Sequence, residues 1–152
     1  MMVEKLNGLG VSIACLVTFA TVGPVQAGHE LAEGNATTGE LQYLEHCASC
    51  HGEDLQGEPD WRSPGKDGFL PAPPHSKDGH TWHHGNRLLF DYTKLGGKEA
   101  LAQRGVEGFN SAMPGFGDEL TDDAIWDILA YIWSTWPQQV QESQHLRNPP
   151  HE

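Results

Sequence analysis

Cysteine is scarce: the 152-residue chain has three, and Cys15 falls within an opening apolar stretch. That leaves Cys47 and Cys50, too few for the disulfide framework of a small secreted domain, so this pair needs another explanation. Positive charge is scarce too. Nine Lys and Arg stand against 21 Asp and Glu, a formal charge of -12, which argues against nucleic acid as a partner. An acidic surface suits steering toward a basic patch on another protein, an effect that fades as salt rises. No apolar run reaches the about 20 residues needed to cross a bilayer. No convincing strand pattern, internal repeat or low-complexity tract is present. Methionine is nearly absent as well: two of the three are Met1 and Met2, so Met113 stands alone in the body of the chain.

Residues 1–27 read as a secretory signal peptide. Lys5 lies in a short start, residues 9–20 are almost continuously apolar, and Gly23-Pro24 precedes Val25-Gln26-Ala27, with cleavage expected after Ala27. The alternative is an uncleaved anchor. A lipoprotein reading of Cys15 is disfavoured, because Ser12 stands where a branched apolar residue is wanted and the residues after Cys15 stay apolar. Export places the protein in the periplasm. The rest divides into a short linker at 28–36, one domain at 37–137, and a polar tail at 138–152 expected to trail without fixed structure.

Within the domain, Thr37 with Glu40 three residues on forms a capping box, and Leu41, Tyr43 and Leu44 follow at helical spacing, so a helix runs into Cys47. Residues 52–79 have no sustained period and are punctuated by glycine and proline. A loop that long needs something other than secondary structure to hold it, such as a large cofactor. Asn86 is the expected cap of a second helix carrying Leu88, Leu89, Tyr92 and Leu95, stopped at Gly96-Gly97, and residues 98–104 could add a short turn. The strongest pattern is the last: Thr121 as N-cap, Asp122 and Asp123 at the positive end of the dipole, a stripe of Ile125, Ile128, Leu129, Ile132 and Trp136, and Pro137 as terminator. The fold class is all-α.

Cys47-Ala48-Ser49-Cys50-His51 is the attachment pattern of a c-type haem. Two thiols about one helical turn apart can each form a thioether with a porphyrin vinyl group, and His51 then reaches the iron from the same side as proximal ligand. A thioredoxin-like dithiol would follow a strand in an alternating strand and helix pattern, and a zinc site would want further cysteines. The second axial ligand should come from a distant loop. Met113 in Ser111-Ala112-Met113-Pro114-Gly115-Phe116 is the best candidate, against the alternative that it merely fills the core. Thioether ligation would saturate the iron and raise its potential relative to a second histidine. His75, His80, His83 and His84 are rival sixth ligands, or a copper or zinc site of their own, or polar surface.

In combination these motifs resemble the small bacterial class I c-type cytochromes, periplasmic and monohaem, over about residues 37–137. The resemblance implies the class I cytochrome c fold: three to five short helices and long loops wrapped around one covalent haem c with its iron. It also implies that Gly39 and Tyr43 on the first helix cross the last helix at Tyr131, and that a proline carbonyl after the motif, at Pro73 or else Pro71, fixes the proximal imidazole. Trp61, Arg62, Trp82 and Arg87 are candidate donors to the haem propionates. The implied function is a periplasmic electron carrier rather than an enzyme, passing single electrons between redox proteins, with partners that present basic docking surfaces. The alternatives are an electron-accepting subunit of a dehydrogenase complex, or a histidine-rich metal-binding or sensing module built on the same fold.

Overall fold

A computed structural model describes Met2 and residues 30–148. The described residues form seven α-helices: α1 Glu30–Glu33, α2 Ala36–His46, α3 Ala48–His51, α4 Asn86–Leu95, α5 Gly97–Ala102, α6 Asp122–Ser134 and α7 Gln138–His145, with a 3-10 turn at Thr81–His83 between α3 and α4 and no strand. Apart from Met2, the expected signal-peptide segment, like the last residues of the expected tail, lies outside the described residues. None of the described helices is long and apolar enough to cross a membrane.

The crossing of α2 and α6 organises everything else. On α6, Thr121 accepts a hydrogen bond from the Ala124 N–H through its side chain, and Asp122 and Asp123 occupy the first turn. That cap is worth about 1 kcal/mol. The stripe it initiates matters more, because Ile125, Ile128, Leu129 and Ile132 are all buried and each contributes about 1.5–3 kcal/mol on leaving water. On α2, Gly39 meets the backbone of Asp127, so the helices touch main chain to main chain. One turn later Tyr43 is fully buried, its ring 5.4 Å from Tyr131. A short α1 packs on α6 through Leu31 and through Gly34, which lies against Ala130 and the Trp126 carbonyl. The expected linker at 28–36 is therefore partly helical.

Two helix starts differ from the sequence pattern. Asn35, not Thr37, caps α2: its side chain accepts from Thr38 N–H, while its own N–H donates to the Asp127 carboxylate, a tertiary tie that selects the earlier residue. Gly85, not Asn86, precedes α4. Asn86 is buried as the first helical residue, with its N–H donating to the Asn148 side chain and its own oxygen accepting from Gln144. Phe90 of α4 stacks on Trp126 of α6 at 4.5 Å, and Asp91 of α4 accepts from Arg87 on the same helix and from Arg104 just past the end of α5, at 3.0 and 2.8 Å.

The expectation of an unstructured tail from residue 138 is corrected for residues 138–148. Gln138–His145 is helical and its end returns to the segment before α4: buried Gln144 donates to the His84 carbonyl at 3.2 Å and to Asn86 Oδ1 at 2.7 Å. A buried amide needs such partners, so its two acceptors fix where the helix end can sit.

Candidate haem-attachment site

The motif residues occupy a single turn. Cys47 is the joint between α2 and α3: its N–H bonds to the Tyr43 carbonyl, and the N–H of His51 bonds to the Cys47 carbonyl at 2.9 Å. Gly52, at φ +80, ends the turn, and the phenol of Tyr43 donates to its carbonyl at 3.0 Å. Cys47 is buried, Cys50 is exposed, and both are free thiols. Burial, then the neighbouring Cys50, pushes the Cys47 thiol up to about 11, the opposite of the activated thiolate of a redox dithiol. Among the described residues no group of three or more His, Cys, Asp or Glu is placed to hold a metal ion, so the turn is not arranged as a zinc site either.

His51 is buried, and its Nδ1 lies 2.8 Å from the carbonyl oxygen of Pro73. A carbonyl can only accept, so Nδ1 carries the proton and Nε2 is left with the lone pair a metal needs. Burial lowers the pKa of the ring, with the Pro73 hydrogen bond and Glu58 pulling the other way, which favours the neutral ligand form. The long loop delivers Pro73 by folding back on itself. Gly57 N–H bonds to His51 O, Glu58 N–H to Ala72 O, and the Glu58 carboxylate accepts from Ala72 N–H, while Leu55 O accepts from both His75 and Ser76. Leu55 itself is buried.

Met113 is partly buried on the loop between α5 and α6. Its carbonyl accepts from Gly97 N–H at 3.3 Å, its N–H donates to Ser111 Oγ, and Phe116 and Gly117 bond to the α4 carbonyls of Thr93 and Lys94. Phe116 also meets His46 edge-on at 6.2 Å, which ties this loop to the end of α2 beside Cys47. An open cleft of about 450 Å3 separates residues of the long loop, among them Glu58, Phe69, Leu70 and Pro71, from Ala112. Ala112, next to Met113, thus shares this cleft with the stretch of the long loop that leads to Pro73.

The remaining candidates are placed otherwise. The indole N–H of Trp82 donates to Lys77 O and its ring stacks on His83 at 3.7 Å, so the only donor of this side chain is engaged inside its own loop. Arg87 is exposed and paired through Nε with Asp91, a helix-surface bond four residues apart. Trp61 stacks on His80 and carries Arg62 over its ring at 4.0 Å. His80 and His84 stand edge to face at 5.3 Å. Burial lowers both pKa values first, with Arg62 contributing at His80 and Arg147 at His84. Two imidazoles beside two guanidinium groups are a poor setting for a second cation.

His75 was a rival sixth ligand on sequence grounds, and the geometry removes it from that role. Its ring lies flat on His51, centroids 4.0 Å apart. Imidazoles on opposite faces of one iron have donor nitrogens already about 4 Å apart, with bonds of about 2 Å each, and ring centres farther still. The stack of His75 on His51 is what the sequence did not disclose, since nothing in Pro73-Pro74-His75 indicates which way that ring turns.

The donor set fits a covalent haem: two free thiols on one turn, and an imidazole anchored through Nδ1. The family described as Cytochrome c matches residues 36–136 by its sequence profile, more than half of the chain and the span from the start of α2 to Trp136 just beyond α6. Searches of curated proteins and of solved structures returned no match. With the Cys47–His51 turn, the α2–α6 crossing and the Met113 loop all inside the matched span, the chain belongs to the cytochrome c family.

Proposed function

We propose that this chain is an exported, periplasmic monohaem c-type cytochrome that transfers single electrons between redox proteins. Cys47 and Cys50 attach the haem c, and His51 and Met113 hold its iron. The haem, when bound, supplies the one-electron couple. The chain's own residues do the rest: Pro73 fixes the tautomer of His51 so that Nε2 is the ligand nitrogen, and Tyr43 and the α2–α6 crossing hold the attachment turn rigid. Pro114 and Gly115 keep the Met113 backbone irregular, and the bonds of its loop to α4 and α5 fix where the thioether is presented. A methionine on the far side makes the protein a carrier and not an oxygen- or peroxide-activating enzyme. The formal charge of -12 suits docking to basic surfaces on its partners.

The observation that carries this reading is the 2.8 Å contact between His51 Nδ1 and the Pro73 carbonyl directly beside two free thiols. The test is a pyridine haemochrome assay on protein exported with the haem-attachment machinery, with one c-type haem expected per chain. The oxidised protein should also show the weak long-wavelength band of methionine-ligated ferric haem, and Met113→Ala should abolish it. Absence of covalent haem would sink the reading, and survival of the band in Met113→Ala would remove Met113 from the iron.

A further inference from the structure

Pro73 anchors the proximal imidazole at one point, and a ring held at one point can still pivot about that hydrogen bond. The pivot is closed off by His75, whose ring lies against His51 with centroids 4.0 Å apart and planes inclined by 26°. The placement of His75 is fixed from three directions. Its N–H donates to Leu55 O at 2.9 Å, its carbonyl accepts from the indole N–H of Trp136 at 2.7 Å, and its Nδ1 lies 2.9 Å from Thr81 Oγ1. The buried Thr81 hydroxyl is directed at Pro74 O, so Oγ1 accepts from His75 Nδ1–H and the ring orientation is set. Tyr43 abuts the same ring edge-on at 6.1 Å.

We propose that His75 is a positioning residue for His51: the flat contact fixes the rotation of the proximal ring and excludes water from one of its faces. The proposal rests on the reading of His51 as the iron ligand. Two physical effects follow. The azimuth of a ligating imidazole sets how its π orbital meets the iron, so a freed ring changes the magnetic anisotropy of the ferric centre. Water admitted to the ring favours the oxidised, more charged state, so loss of the stack lowers the reduction potential. Trp136, two residues past the end of α6, thereby ties this support to the helix that crosses α2.

The test compares haem-loaded, full-length protein with His75→Ala, His75→Phe, His75→Leu and Thr81→Val. Haem content by pyridine haemochrome comes first: an unattached haem in the parent would defeat the functional reading and leave the stack a separate matter of structure. At equal haem content, His75→Ala is expected to lower the midpoint potential and shift the ferric EPR g values. His75→Phe keeps a flat ring and should return both toward the parent. Thr81→Val, which leaves the stack but removes the acceptor, should fall between them. Should His75→Ala fail to accumulate, His75→Leu carries the same comparison with His75→Phe, since leucine excludes water without offering a flat face, and its g values should shift where those of the phenylalanine variant do not. Parent-like potential and g values in the variant lacking a ring, or a phenylalanine variant displaced as far as the alanine or leucine one, would overturn the proposal.

Discussion

Gly39 of α2 rests on the main-chain carbonyl of Asp127 in α6, so near that a Cβ at residue 39 would occupy the space of that oxygen. Both groups belong to helical backbone, and neither can swing aside as a flexible side chain could. Gly39→Ala gains about 1 kcal/mol of helix propensity and incurs an overpacking cost of about 1–3 kcal/mol, here at the upper end because backbone must shift. The net expectation is a loss of about 2 kcal/mol, read as a lower urea midpoint at unchanged slope. An alanine variant as stable as the parent would show that the helices part for no more than the about 1 kcal/mol that helix propensity returns.

The Tyr43 phenol donates to Gly52 O, which also accepts from Leu55 N–H at 3.1 Å. Tyr43→Phe therefore leaves that carbonyl with a partner, and the expected cost is at the low end of the hydrogen-bond range, about 0.5–1 kcal/mol. Tyr43→Ala is different in kind. It empties a fully buried aromatic site against Tyr131 and His75 and should cost about 3–5 kcal/mol. Similar losses for the two variants, by denaturant titration, would mean the hydroxyl and not the ring carries the position.

What could be read from the sequence and what could not divide along physical lines. Helix α6 was legible because its cap, its dipole-matched aspartates and its apolar stripe all lie within sixteen residues, Thr121 to Trp136, and burial dominates its energy. The Cys47–His51 turn was legible because its two cysteines and its histidine are spaced to fall within a single helical turn, which local backbone bonds alone hold. The helix Gln138–His145 was not, since its anchor is an amide, Gln144, whose two acceptors lie about sixty residues earlier, and no hydrophobic period announces such a contact. The choice of Asn35 over Thr37 as cap was hidden for a related reason: both suit the role locally, and the Asp127 carboxylate that decides between them lies 92 residues away.

Gln144 makes the role of the last helix testable. Gln144→Leu keeps the volume and removes the donor to both His84 O and Asn86 Oδ1, with an expected loss of about 1–2 kcal/mol from the buried site. Gln141→Leu, which removes only a bond to Trp133 O on a more accessible residue, should cost less than half as much. Equal effects, or none, by thermal unfolding would show that α7 is not held through its buried amide.

His80 and His84 give the protein an acid limb with a defined sign. Both are held below the ordinary histidine value, at His80 by burial, then His83 and Arg62, and at His84 by burial, then His80, His83 and Arg147. A depressed folded value means the unfolded chain binds protons first as pH falls. The contribution to stability is thus complete above the unfolded value of about 6.5 and is lost as pH drops below it, through the folded values of the pair. His51 and His75 are lowered as well, so the parent slope contains all four rings, and the informative quantity is a difference. The urea midpoint of the parent should fall between pH 7 and pH 5, and that of a His80→Gln, His84→Gln double variant should fall less steeply over the same interval. Parallel lines for the two proteins would mean the pair titrates alike in the folded and unfolded chains, and that Trp61, Arg62 and Arg147 leave the two imidazoles as open to protons as free histidine.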